Sequence, residues 1–85
     1  MLPHALNPTL LRRTDEVGLS QRTVACLTTA NIMHVGELVQ MIEVELLRTP
    51  HIGVTALKEI KTMLGGLGLH LGMEVPGWPP EDLTR

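Results

Sequence analysis

The stretch Arg48-Thr49-Pro50-His51-Ile52-Gly53-Val54-Thr55-Ala56-Leu57-Lys58-Glu59-Ile60 decides how this protein folds. Pro50 disfavours α geometry at Thr49, so a helix running through Glu45-Leu46-Leu47 has to stop there. Gly53 frees the backbone just before a new helical pattern begins. In that pattern Leu57, Ile60 and Leu64 share one face, with Met63 beside them. Two short helices joined in this way form a helical hairpin. With no side chain at Gly53, another molecule can approach the backbone. The free N–H groups that open the next helix point toward whatever binds there. A DNA phosphate is one such ligand, and a plain helix–helix turn without a ligand is the other reading.

Working outward from this hairpin, Ser20 is an N-cap for a helix beginning at Gln21. There Val24 and Leu27, followed by Ala30, make the expected core face, while Arg22, Ala25, Cys26 and Thr29 fall on another. Asn31 to His34 reads as a turn, Val35 to Gln40 as a short second helix, Glu43 to Arg48 as a third, and Val54 to about Leu64 as the fourth. The expected core is Val24, Leu27, Leu38, Leu46, Leu57, Ile60 and Leu64. Nearer the start, Asn7-Pro8 is a turn signal. Leu10 and Leu11 are expected under the domain, Arg12, Arg13, Asp15 and Glu16 on a polar strip, and Gly18 at the end of this irregular segment.

Beyond the fourth helix, Gly65-Gly66 suits a left-handed C-cap. Leu67, Leu69, Leu71 and Met73 alternate with Gly68, His70 and Gly72. The glycines argue against a strand, so the expectation is an extended segment whose apolar residues pack back on the helices. Pro76-Gly77-Trp78-Pro79-Pro80 reads as a rigid loop with Trp78 over the core. His34-Val35-Gly36 and His51-Ile52-Gly53 suggest a faint internal echo of two hairpins. Residues 1–6 and 81–85 are expected to be flexible ends around a domain at 7–80.

At 85 residues this is one small domain with a modest core. No segment is apolar enough to span a bilayer, and the N-terminus has no signal-peptide pattern. The single Cys26 cannot form an internal disulfide, which fits a reducing, cytoplasmic setting. A net charge of −2 excludes a strongly basic nucleic-acid binder. Any DNA contact has to come from a small local patch. One aromatic residue, Trp78, is too few for base-stacking single-strand recognition. No Ser/His/Asp or Cys/His spacing supports catalysis. His4, His34, His51 and His70 lack metal-ligand spacing, so no metal or other cofactor is expected.

Several stretches together resemble a known family. They include Leu10-Leu11-Arg12, Asp15-Glu16, Arg22, Cys26-Leu27, Gly36-Glu37-Leu38-Val39-Gln40 and Glu43-Val44-Glu45-Leu46-Leu47-Arg48-Thr49-Pro50. Gly53, Leu57, Glu59-Ile60-Lys61, Leu69, Leu71-Gly72-Met73 and Trp78-Pro79-Pro80 complete the set. The pattern is similar to the C-terminal domain of the bacterial RNA polymerase α subunit, in order from about Asn7 to Pro80. The resemblance implies a compact all-α domain of four helices plus an irregular first turn, with helix–hairpin–helix character. It implies contact with the minor groove of A·T-rich double-stranded DNA, and docking onto transcription activators or the sigma factor. No membrane and no small-molecule substrate are implied.

Carried over residue by residue, the resemblance assigns Arg22 as the groove-inserting arginine, Cys26 as a backbone-contacting position and Gly53 as the close-approach glycine. Thr55 and Glu59 lie on the same implied DNA surface. Apart from the resemblance, Lys58 and Lys61, one turn apart on the fourth helix, read by default as an ordinary solvated face, and their position near Gly53 makes them possible phosphate contacts. Glu43-Val44-Glu45 match a patch that faces activators, and Asp15-Glu16 match part of a patch that faces sigma. The departures are Ala25 where the family commonly has Asn, Thr55 where it has lysine, and Ala56 where it has serine. Further departures are Ile42 and Glu74 in the activator patch, and Gly18 in the sigma patch. Each lost polar contact removes roughly 1 kcal/mol. The retained residues favour a DNA-contacting module with weak affinity, and the departures favour a docking module that has lost useful DNA binding. The polymerase-assembly domain is absent from this sequence, and Met1 with no linker-like stretch leans toward a free-standing relative.

Overall fold

The computed structural model describes residues 7–79. The expectations for residues 1–6, Pro80 and the tail beyond it lie outside the described residues. Four helices form: α1 (Gln21–Thr29), α2 (Val35–Val39), α3 (Glu43–Arg48) and α4 (Val54–Gly66). They are preceded by two 3₁₀ turns, Pro8–Leu11 and Thr14–Glu16. Among the described residues there is no strand, only one isolated antiparallel bridge between Arg13 and His34. The fold is all-α, as the sequence pattern implies.

The core gathers one face from each helix. Leu27, Val35, Leu38, Val39, Leu46 and Ile60 are fully enclosed, with Leu57 and Leu64 close behind. Val24 is only half-buried. The inward face of α1 is instead Thr23, Cys26 and Leu27, so the helix is turned from the expected orientation. That turn has a polar cause. Thr23 is drawn toward α4, where its hydroxyl donates to Glu59, and Cys26 toward the α3–α4 turn, where its thiol donates to the carbonyl of His51. Leu10 is buried as expected, whereas Leu11 is exposed.

α1 and α4 end in the same way. Asn31 has a positive φ of 63°, the Ile32 N–H reaches the Leu27 carbonyl at 2.8 Å, and the Asn31 N–H reaches that of Thr28 at 3.0 Å. At the end of α4, Gly68 has φ 75°, Leu69 N–H bonds Leu64 at 2.8 Å, and Gly68 N–H bonds Gly65 at 3.1 Å. This is the Schellman arrangement, in which a left-handed residue lets the backbone fold back on the helix's own last carbonyls. The apolar pairs that accompany it, Leu27 with Ile32 and Leu64 with Leu69, are all buried. Gly65 and Gly66 therefore lie inside the helix, and the left-handed position is Gly68. Beyond it Gly72 and Gly77 also have positive φ, so this segment is a series of turns rather than an extended run. Its apolar residues do pack inward: Leu69 is buried, and Leu67, Leu71 and Met73 are half-buried.

The His-x-Gly echo has no structural counterpart. His34 is the N-cap of α2, with the helix starting at the next residue. His51 instead sits in the left-handed region at φ 70°, and the N-cap of α4 is Gly53.

Backbone hydrogen bonds attach both flanking segments to α2. The Val35 N–H donates to Arg12 at 2.9 Å and the Thr14 N–H to Met33 at 3.0 Å; Met73 donates to Val39 at 2.8 Å and Gly72 to Met41 at 2.9 Å. Trp78 then closes over α2. A Cβ at Gly36 would fall 2.4 Å from the indole ring, inside any permitted contact. Gly36→Ala is therefore expected to displace Trp78 and cost about 1–3 kcal/mol, as overpacking does. Thermal unfolding measures the cost. The emission of Trp78, in a protein with no Tyr or Phe, reports the ring's exposure by a red shift.

Candidate nucleic-acid interface

The turn that joins α3 to α4 is built differently from its sequence signature. Thr49 is extended at ψ 131°, ending α3 as Pro50 requires. The Ile52 N–H then reaches back to the Thr49 carbonyl at 3.2 Å, closing a β-turn with Pro50 and His51 in its centre. A turn with Pro at its second position and a positive φ at its third is of the type that favours glycine there. That third residue is His51. Gly53 has φ −105° and ψ −170°, ordinary extended backbone, and a Cβ on it would meet nothing within 4 Å. Gly53 is thus not required by the turn. What it leaves is open space at the start of α4.

Three of the helical starts use a glutamate three residues in to accept the N-cap N–H, one half of a capping box. Glu16 accepts from Arg13 at 3.2 Å, Glu37 from His34 at 3.2 Å, and Glu45 from Ile42 at 3.0 Å. In α1 the equivalent position is Thr23, and the carboxylate comes from another helix. Glu59 of α4 accepts the Ser20 backbone N–H, the Ser20 hydroxyl at 3.1 Å and the Thr23 hydroxyl at 3.2 Å. The Ser20 side chain in turn accepts the Thr23 N–H at 3.4 Å. These donors, the Ser20 backbone N–H first, hold the Glu59 carboxyl below its ordinary range. α4 itself begins at Gly53 with no cap from a side group and no acid in its first turn. α2 and α3 have a side-group acceptor for the N-cap N–H only, and α1 for the N-cap N–H and that of Thr23; α4 has none for either its N-cap or its first-turn N–H groups among the described residues.

The start of α4 and the first turn of α1 face each other across a groove of about 530 Å³. Arg22, exposed at the second position of α1, lines it with Ser20, Thr23 and Cys26; Gly53, Val54, Thr55, Ala56 and Glu59 line it from α4 and its N-cap. Arg22, Cys26 and His51 also border a second hollow of about 420 Å³, beside Ala25 and Thr29. The structure therefore brings Arg22, Cys26, Gly53, Thr55 and Glu59 together. Cys26 is 8% exposed, with its thiol committed to the His51 carbonyl, so it belongs to the core as well as to the wall.

The two lysines do not join this groove. Lys58 lines a different hollow with Val17, Leu19 and Met63. Lys61 is ion-paired to Glu43 at 3.2 Å, on the side of α4 that meets α3. Ser20, Thr23 and His51 are groove residues that the sequence does not single out for this surface. Ser20 is legible only as a cap, and nothing local marks Thr23 as a partner of Glu59.

The acidic residues assigned to partner patches are exposed but already engaged within the molecule. Asp15 pairs with Arg13 at 3.0 Å, an interaction that holds the carboxyl below its ordinary range. Glu16 and Glu45 cap their own turns, and Glu43 holds Lys61. Val44, by contrast, leaves half its surface open, as do Ile42 and, nearly so, Leu47.

Against known protein families, the model for the C-terminal domain of the bacterial RNA polymerase alpha subunit matches residues 3–66, ending at the last residue of α4.

Two outcomes follow from this geometry. Gly53→Val is expected to cost at most about 1 kcal/mol of stability, the spread of N-cap preferences, because neither the turn nor the packing needs glycine there; thermal unfolding checks this. Glu59 is held below its ordinary value of about 4.5. Its stabilising contribution is therefore complete above that value and is lost as pH falls through the depressed one. Acid titration of stability should steepen below about pH 4.5 in the natural protein and flatten in Glu59→Gln. The exposed Asp15–Arg13 pair adds little to the same slope.

Proposed function

Since the chain belongs to the family of the bacterial RNA polymerase α C-terminal domain, a non-catalytic module of the transcription machinery, we propose that it contacts the DNA minor groove weakly through Arg22 and the start of α4. It also docks onto transcription regulators or the sigma factor. The observation that supports this reading is the pairing of Arg22 with the one helix start left uncapped by any side group. Unpartnered N–H groups carry the positive end of the helix dipole and suit a phosphate. An arginine beside them suits the negative potential of a narrow A·T-rich minor groove. The open space at Gly53 lets the sugar–phosphate backbone approach.

Affinity is limited by the same geometry. Among the described residues Arg22 is the one lysine or arginine lining the groove, and Thr55 and Ala56 hold places where the family commonly has a lysine and a serine. With so few charge contacts, binding falls at or beyond the weak end of the non-specific range, about 10⁻⁴ to 10⁻⁶ M at physiological salt.

A second reading is a docking module with no useful DNA affinity. It is favoured by the outward placement of Lys58 and Lys61 and by the exposed apolar residues Ile42, Val44 and Leu47 around α3. The internally engaged acids Asp15, Glu16, Glu43 and Glu45 retain free oxygen lone pairs for a basic partner. In this reading Val44 supplies the apolar contact between them.

Chemical-shift titration with an A·T-rich duplex at low and moderate salt separates the two. The DNA reading expects shifts confined to the first turn of α1 and residues 53–56, stronger at low salt and lost in Arg22→Ala. Restoring the family's groups by Ala25→Asn with Thr55→Lys is expected to tighten binding by about 1–3 kcal/mol, near a kcal/mol per regained contact. Shifts elsewhere, or no gain from the double replacement, would favour the docking reading.

A further inference from the structure

We propose that Glu59 is a positioning residue for Arg22: by accepting from Ser20 and Thr23 it fixes the first turn of α1, and so aims Arg22 into the groove beside the open end of α4. This rests on the DNA-contact reading above. Resemblance alone places Glu59 on the DNA surface, as if it touched DNA. Its chemistry argues otherwise. An ionised carboxylate only accepts hydrogen bonds. The phosphates are anionic, and an A·T minor groove offers only acceptors, adenine N3 and thymine O2. Glu59 therefore has nothing to bond on such a ligand. Both its oxygens are, moreover, already occupied: one by the Ser20 N–H, the other by the hydroxyls of Ser20 and Thr23.

What those bonds do is local to Arg22. Ser20 and Thr23 bracket it in sequence, and all three bonds end on that bracket. α1 lacks a glutamate of its own at the third position; Ser20 caps the Thr23 N–H locally, and the acceptor for the Ser20 N–H comes from α4. The same contact ties the first turn of α1 to α4, and so holds Arg22 in one groove with the residues that open α4. Its hydrogen bonds from Ser20 and Thr23 hold the carboxyl below its ordinary range, so it is ionised near neutral pH and the clamp stays closed.

The test turns on a sign. If Glu59 were only a negative charge beside DNA, its removal would tighten binding. As a positioning residue, its removal should loosen it. Fluorescence anisotropy with an A·T-rich duplex, measured over a salt series, is expected to show Glu59→Gln binding roughly tenfold more weakly, the scale of one charge-assisted hydrogen bond. The slope of log affinity against log salt should fall by about 0.9, as when one charge contact is lost. In an Arg22→Ala background, Glu59→Gln should cause no further loss, since the two act as a unit. Thr23→Val keeps the shape and removes one bond. It should weaken binding roughly threefold, and it serves as the readout where Glu59→Gln does not fold. Equal or tighter binding by Glu59→Gln or Thr23→Val, or losses that simply add to that of Arg22→Ala, overturn the positioning role alone. Affinity unchanged by Arg22→Ala overturns the DNA reading, and the positioning role with it.

Discussion

The carboxylate of Glu59 joins the two halves of this domain at the point where its surface matters. A helix start needs acceptors for its first N–H groups. For α2 and α3 that need is met within the turn itself, by Glu37 and Glu45. For α1 it is met in part from α4, 39 residues away in sequence from Ser20. That constraint, together with the bond from the Cys26 thiol to the His51 carbonyl, orients α1. With Thr23 turned toward Glu59, Cys26 and Leu27 face the interior and Val24 is left half-covered. Arg22, next to Thr23, is turned outward over the groove. The start of α1 is marked locally by the Ser20 cap and completed by α4, so the helix belongs to the cooperative unit rather than standing alone. At nine residues it is too short to be stable by itself.

Much of the architecture was legible because it is written in local chemistry. Ser20 announces α1, Pro50 ends α3, and the spacing of Leu57, Ile60 and Leu64 marks the inner face of α4; each of these rests on neighbours in sequence. The misreadings share a cause. Val24 and Cys26 both sit close to Leu27 along the helix, and only the tertiary pull of Glu59 and the His51 carbonyl decides between them. Gly53 looks like the residue that makes the turn, since glycine is the usual occupant of a positive φ, but the strain falls on His51, two residues earlier. Gly65 and Gly66 look like a cap, yet the cap forms at Gly68, where Leu69 can bury itself against the end of the helix. The groove was legible as a list of residues, through resemblance. Its exclusion of Lys58 was not, because that depends on which side chains of α4 the packed segments before α1 draw to their own side.

The distribution of charge shows how a mildly acidic domain keeps a usable face for an anion. The acids of the two partner patches, Asp15, Glu16, Glu43 and Glu45, are each tied to a local donor: a cap N–H, Arg13 or Lys61. These bonds are exposed and individually weak, but they hold the carboxylates on the flanks and away from the groove. Among the described groove residues the only acid is Glu59, and its charge faces the hydroxyls and N–H of α1. The net charge of −2 therefore says little about the local field at Arg22.

The attachment of the flanking segments to α2 bears on how this fold can drift over evolutionary time. Arg12, Met33, Val39 and Met41 hold their partners through backbone carbonyls, and a backbone bond is indifferent to the side group that its residue carries. Those positions are free to change identity while the register stays fixed. Gly36 and Trp78 are not: the ring occupies the place of a Cβ. The two sites form a lock in which either partner constrains the other. Among relatives, a larger residue at the first should go with a smaller or displaced one at the second. Variation at this pair should be correlated even where the surrounding loop has diverged beyond alignment.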